Sequence, residues 1–217
     1  MFIEAWDYLA GHQAQFLAAL WRHVALSASA LAIAAAIAVP LGVRLADSHR
    51  TALVAINAAN IGRTLPSLAV LALVMPVMGT GFAPSLFALT LLALPPILIN
   101  TYAAIRQVDP DIVDAARGMG MTQRQTFLRV ELPLALPAIL AGLRIATVST
   151  ISVATVASFV VAKGLGHPIF IALEQNIFKT EIFMAGGMAV ALALAADGLL
   201  VLVQRVLTPW ARLGRSA

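Results

Sequence analysis

At 217 residues, with 61% hydrophobic and only 11% charged residues, the chain is far more apolar than a soluble domain, where roughly a quarter of residues are charged. Mean hydropathy of +0.93 and repeated apolar runs place most of it in a membrane. The lack of cysteine excludes disulfides, thiolate chemistry and cysteine metal ligands. The net charge of +4 comes from arginines grouped at the ends of apolar runs, a topology signal and not a nucleic-acid surface.

The N-terminal "MFIEAWDYLAGHQAQF" has acids where a signal peptide has basic residues, and no small-residue cleavage site follows. No cleaved targeting segment is expected. The first predicted span covers residues 24–43, between "WRH" and "RLADSHR". Within it Ala28, Ala32 and Ala36 offer a small-residue face for close helix approach. A second run, residues 53–78, is interrupted by Asn57, Asn60, Arg63 and Pro66. The Pro/Gly turn "MPVMGTGFAP" leads to a third run over residues 84–104. Parts of 53–104 could be broken or re-entrant helix, which is tolerated where protein covers the backbone. Five spans are expected in total, with six as the alternative.

Residues 108–137, "VDPDIVDAARGMGMTQRQTFLRVELPLALP", stand out because they carry acids and arginines between apolar runs. Asp109 is placed to cap a helix beginning at Pro110, with Asp111 adding charge to its first turn. Ile112, Val113 and Ala116 give that helix a short apolar face, and Gly118 and Gly120 end it. Thr122 and Gln125 form a capping box for a second short helix, with Phe127, Leu128 and Val130 on its apolar side. Pro133 starts the return to the membrane. Such an elbow either docks a soluble partner or is an interfacial loop joining two spans.

The fourth predicted span covers residues 134–161 and the last 182–203. "GLGHP" between them reads as a turn. With five spans, Arg44, Arg50, Arg106, Arg117, Arg124, Arg129, Arg205, Arg212 and Arg215 share one side, and Arg22, Lys163 and Lys179 the other. Positive residues stay in the cytoplasm, so the elbow and C-terminus are expected inside and the N-terminus outside.

No Gly-x-x-x-x-Gly-Lys-Ser/Thr phosphate loop occurs, so the chain is not expected to hydrolyse ATP or to carry a catalytic residue. His12, His23, His49 and His167 are scattered near span borders and read as polar surface, not as a metal site. Trp6, Trp21 and Trp210 lie near borders, where anchoring explains them. Asn57, Asn60, Arg63, Asn100, Thr101, Arg144, Thr147, Ser149, Thr150, Ser152, Thr155, Ser158 and Asp197 cannot all face lipid cheaply. Of these, Asn57, Asn60, Asn100, Thr101, Arg144 and Asp197 are the candidates for a pathway or bundle interior. Helix packing and backbone bonding are the plainer reading of each serine and threonine.

"DAARGMG", nine residues on "VELP", resembles the cytoplasmic motif of binding-protein-dependent ABC importer permeases: Glu-Ala-Ala, three residues, Gly, nine residues, Ile-x-Leu-Pro. The matching positions are Asp114, Ala115, Ala116, Gly120, Val130, Leu132 and Pro133, with Asp replacing Glu and Val replacing Ile. "RTLPSLAVLALVMPVMGTG", "ALPPILINTY" and the stretch from "VDPDIVDAARGMG" to "ATVASFV" extend the resemblance to the subfamily importing glycine betaine, choline, carnitine and proline. That subfamily often has Arg-Asn-Thr where this chain has Ile99-Asn100-Thr101, and Gly-Gly-Leu-Gly where it has Lys163-Gly164-Leu165-Gly166.

The resemblance implies an all-α polytopic permease of the methionine-importer-like type, one transmembrane domain over residues 1–217 with a coupling segment at 108–133. It also implies a bacterial inner-membrane location. The implied partners are an ABC ATP-binding subunit, which holds the ATP, an extracytoplasmic solute-binding protein, and a second permease copy or homologous permease subunit. The surrounding lipid membrane is a further partner, and nucleic acid is not. The seven motif residues are implied to couple the chain to the ATP-binding subunit. An importer of an amino acid such as methionine is the nearest alternative, a self-sufficient secondary carrier or a scaffold the more distant ones. A pair of broken-helix repeats, expected of such a carrier, is not visible.

Overall fold

Alanine and leucine dominate the apolar runs and are strong helix formers. In lipid, a helix also satisfies its own backbone N–H and C=O groups, which irregular chain cannot do. The computed structural model describes residues 10–161, 163–174 and 179–211, and these are helical with short breaks. In chain order the helices are α1 Gln13–Ala46, α2 His49–Thr64, α3 Ser67–Met78, α4 Phe82–Arg106, α5 Pro110–Gly118 and α6 Gln123–Thr126. A π-helical turn Phe127–Glu131 comes next, then α7 Leu132–Val161, α8 Gly166–Glu174 and α9 Lys179–Leu207.

Four stretches are long and apolar enough to cross a membrane: Gln13–Ala46, Phe82–Arg106, Gln123–Ser158 and Thr180–Leu207. Taking α2 and α3 as one interrupted span makes five. The interruption falls at Pro66, whose ring disfavours helical backbone in the residue before it. Helix α1 begins well before residue 24, because "QAQFLAALWRH" holds no glycine or proline to stop it. Its 34 residues reach about 51 Å, against an apolar membrane thickness of about 30 Å.

Within this chain, α1 packs through a different face from the one formed by Ala28, Ala32 and Ala36. Ala28, Ala32 and Ala36 are exposed, while Ala30, Ala34 and Ala38 are buried to within 1%. Alanine occupies so many positions here that the pattern has no contrast from which to read a face.

Contacts divide the chain into two compact units. The first draws on residues 1–34, 64–93 and 147–197. Its core joins Leu26 and Ala30 of α1, Val70 and Leu71 of α3, Ala88 and Leu89 of α4, and Ala154 and Ala157 of α7. Four of those eight are alanines, which suits a membrane interior, where helices associate by close packing and not by expulsion from water. The second unit draws on residues 35–63, 94–146 and 198–217. In it Ala104, Ala135 and Ile139 form a core, with Val39, Ile105, Val108 and Leu132 against it. Gln204 of α9 donates its side-chain N–H to the Pro137 carbonyl at 3.2 Å.

Two further expectations change in the first unit. "GLGHP" is not only a turn, since Gly166 begins α8. Pro168 then sits in the first helical turn, where its missing N–H costs nothing. His23 is not polar surface but is 1% exposed. Its Nδ1 accepts from the Leu165 N–H at 3.3 Å, which leaves Nε2 to donate to the Ile151 carbonyl at 3.1 Å. One imidazole thus clips α1 to the loop before α8 and to α7.

His23→Phe fills similar space but strands the Leu165 N–H, at a cost of about 1–3 kcal/mol. The expected result is a lower thermal midpoint for the detergent-solubilised chain. An unchanged midpoint would show that the clip adds nothing to stability.

Among the remaining sequence expectations, Trp6, Arg212 and Arg215 lie outside the described residues, as do the side chains of His49 and Lys179. Trp21 and Trp210 are exposed, His12 is exposed and His167 half-buried.

Candidate functional site

The elbow is built from short-range chemistry. The Asp109 carboxylate accepts from the Asp111 N–H at 2.9 Å and Pro110 opens α5, as the sequence predicts. The end of α5 is a two-bond cap. The Gly120 N–H donates to the Arg117 carbonyl at 2.9 Å, and the Met121 N–H to the Ala116 carbonyl at 3.2 Å. This pairing needs a left-handed residue at its centre, and Gly120 supplies φ +87°. The capping box also forms. Thr122 Oγ1 accepts from the Gln125 N–H at 3.3 Å, and Gln125 Oε1 accepts from the Thr122 N–H at 2.9 Å.

Beyond the capping box, the backbone departs from the expected pair of separate helices. The second segment does not stop before Pro133. Gln123–Ser158 is one 36-residue helix, carried past Pro133 by the π-helical turn. In regular helix the Pro133 ring would meet the Arg129 carbonyl. Here the Leu132 N–H reaches back five residues to the Phe127 carbonyl, and the widened turn relieves that crowding.

The seven motif residues divide by direction. Ala116 is buried, and Leu132 packs on the core of Ala104, Ala135 and Ile139, so these two seat the elbow. Val130 and Pro133 are half-buried. Asp114, Ala115 and Gly120 are exposed. Asp114 lies 3.7 Å from Arg117 on the same helix, with side chains 74% and 55% exposed, respectively. Such a pair is worth little and leaves the carboxylate available. A Cβ added at Gly120 meets nothing within 4 Å, so its outer side is open. Around these residues Ile112, Met119 and Leu128 are also exposed. The elbow therefore offers an apolar patch, the Asp114 carboxylate and the exposed Arg117, Arg124 and Arg129 on a capped base, which suits docking a folded partner.

The polar candidates do not converge on one site. Asn57 and Asn60 are exposed on α2. Asn100 and Thr101, neighbours on α4, mark the closest helix approaches of the second unit. Asn100 donates Nδ2–H to the Pro96 carbonyl at 2.7 Å and packs on Gly142, where a Cβ would collide with it. Thr101 is fully buried against Gly42, where an added Cβ would lie 2.8 Å from Thr101 Cβ. Its hydroxyl has no hydrogen-bond partner among the described residues. Arg144 and Asp197 are half-buried, and neither is without a partner. Sequence reasoning passed over Gly42 and Gly142, because the need for glycine comes from a partner helix far away in the chain. No group of three or more potential metal ligands occurs among the described residues.

A family described as "Binding-protein-dependent transport system inner membrane component" matches residues 38–211. The choline transport system permease protein OpuBB of Bacillus subtilis is 39% identical over 204 residues, covering 94% of this chain and 93% of that protein. The carnitine transport permease protein OpuCD of Listeria monocytogenes is 42% identical over 204 residues, covering 94% and 91%. In three dimensions the chain is similar to the inward-facing MetNI methionine ABC transporter. The TM-score is 0.81 at 21% identity, over 91% of this chain and 98% of that one. That likeness establishes the fold.

Proposed function

We propose a specific role from the premise that this chain belongs to the family of binding-protein-dependent transport system inner membrane components. It is the permease subunit of an ABC importer, a multi-pass inner-membrane protein and not an enzyme. Its cargo, in our reading, is an osmoprotectant such as glycine betaine, choline or carnitine. The observation that carries the role is the elbow, a capped surface bearing the motif at its full spacing, with Asp114 for Glu and Val130 for Ile. The choline and carnitine permeases, at 39% and 42% identity, support the choice of cargo.

In this reading the chain is one permease domain whose coupling segment, residues 108–133, docks on a separate ATP-binding subunit. Asp114, Ala115 and Gly120 meet that subunit, while Ala116, Val130, Leu132 and Pro133 hold the elbow against the bundle. A solute-binding protein delivers cargo on the other side, and a second permease copy or a homologue completes the pathway. Asn57 and Asn60, exposed on this chain, are suited to line that pathway. The elbow and C-terminus face the cytoplasm and the N-terminus faces out, as the arginine distribution supports.

The test is uptake by cells lacking their own importers, supplied with this chain, an ATP-binding subunit and a solute-binding protein. Labelled glycine betaine, choline or carnitine is expected to enter only when the ATP-binding subunit is active. Uptake of methionine alone would overturn the cargo, and uptake without the ATP-binding subunit would overturn the ABC mechanism. In the same cells, Gln123→Cys is expected to resist an impermeant thiol reagent until the membrane is opened. Labelling of intact cells would reverse the orientation.

A further inference from the structure

The first unit holds a cavity of about 250 Å³ beside Ser158, near the C-terminal end of α7. Arg22 and Lys163 stand on its lining, both exposed, and among the described residues neither makes an ion pair and no carboxylate lines it. Leu26 and Phe82 supply an apolar wall. The other polar groups there are already committed. Both His23 ring nitrogens are hydrogen-bonded, and the Ser158 hydroxyl donates to the Ala154 carbonyl at 2.9 Å. The donors left for a ligand are the guanidinium and the ammonium.

Lys163 holds that place at a cost. Its φ is +115°, the one positive value at a non-glycine residue among those described. Glycine would adopt this backbone without strain, whereas a side chain resists it. An ammonium on strained backbone, lining the same cavity as an arginine without an ion pair among the described residues, points to a ligand carrying negative charge.

The lining argues against choline on charge and against every quaternary ammonium solute, glycine betaine and carnitine included, for want of an aromatic cage. Choline, a cation, is repelled by two cations with no carboxylate among the described lining residues. A quaternary ammonium needs an aromatic cage, and Phe82 is one ring. A phospholipid fits better, because it joins an anionic phosphate to apolar carbons, matching the cationic rim and the Leu26–Phe82 wall. The depth agrees as well. Trp21, one residue before Arg22, is 72% exposed, and exposed tryptophans settle at the headgroup level of a membrane. We infer that this cavity binds the phosphate of an anionic phospholipid, held by Arg22 and Lys163. The inference does not depend on which solute the importer carries.

Native mass spectrometry of the full chain, released from mixed phosphatidylglycerol and phosphatidylcholine, measures the lipid retained. The wild type is expected to retain phosphatidylglycerol preferentially. Arg22→Gln and Lys163→Gly are each expected to weaken that retention about fivefold, and the double variant about twenty-five-fold. Thermal midpoints in nanodiscs separate lipid binding from loop stability. In pure phosphatidylcholine, Lys163→Gly is expected to melt higher than wild type, because its strain is gone. On adding phosphatidylglycerol, the wild type is expected to gain stability and the double variant not to. Equal retention by wild type and double variant would overturn the site. Equal preference for phosphatidylcholine would overturn its charge selectivity. If inorganic phosphate in phosphatidylcholine nanodiscs reproduces the full stabilisation, the ligand is the free anion and the lipid assignment fails.

Discussion

Gly166→Ala is expected to leave almost no folded chain in the membrane. An added Cβ would overlap the Thr155 carbonyl oxygen, lie 2.8 Å from that carbonyl carbon and sit 3.0 Å from Ser158 Cβ. A side chain in the way can rotate, but a backbone carbonyl inside a helix cannot. Nor can Gly166 retreat. Leu165 before it is fully buried and tied to His23, and the His167 N–H after it is tied to the Gly164 carbonyl at 3.0 Å. Overpacking of this kind costs about 3 kcal/mol, a large part of the margin of most domains. Gly164→Ala provides the graded control. Its Cβ would collide with the Ser158 hydroxyl, which can be removed. Gly164→Ala alone is expected to reduce membrane abundance moderately, and Ser158→Ala to restore it. Immunoblots of membranes and gel filtration in detergent read both effects. Wild-type abundance and a single symmetric peak for Gly166→Ala would show that α8 does not need the close contact with α7.

Gly120→Val is expected to fail differently: the chain inserts normally but uptake and ATP hydrolysis part company. Gly120 has φ +87°, and its outer side is open, so the substitution meets backbone strain and no internal clash. A side chain in left-handed backbone costs about 1–2 kcal/mol, and β-branching makes it worse. That shifts the population of the docking-ready elbow about five- to thirty-fold, while the helix cores far from it stay packed. Gly120→Asn is the matching control, since asparagine tolerates this conformation. It is expected to keep more uptake than valine at equal abundance. Asp114→Ala removes an exposed carboxylate and only a weak internal pair, and a smaller loss is expected. Abundance, co-purification of the ATP-binding subunit and solute uptake should be measured on the same preparations. Normal uptake by Gly120→Val at normal abundance would remove the elbow's fit from the mechanism. Low abundance with normal uptake per molecule would make Gly120 a folding residue only.

The two glycines also mark how far the sequence could be read. Gly120 was legible because its reason is local: a helix begun by Asp109 and Pro110 must end, and glycine ends it in a left-handed residue. The capping box of Thr122 and Gln125 is local in the same way. Gly166 was not legible, because what forbids a side chain there is a carbonyl on another helix. His23 escaped notice for the same reason, since its partners Ile151 and Leu165 lie 128 and 142 residues away. The passage through Pro133 was not legible either, because the sequence shows only that apolar chain resumes there. The π-helical turn that carries the helix past it depends on how the turns on either side are held. The apolar runs gave the spans, yet they could not say which face of an alanine-rich helix turns inward.

The unbroken passage of the elbow into α7 has a mechanical consequence. Two separate helices joined by a loop would let the elbow swing while the span stood still. A continuous helix over Gln123–Ser158 has no such loop between the elbow and the span. The five-residue π-helical turn, next to the elbow's capping box, is a place where this helix can yield by twisting. Stiffening that turn would tighten the transmission, and loosening it would let the stroke dissipate before it travels.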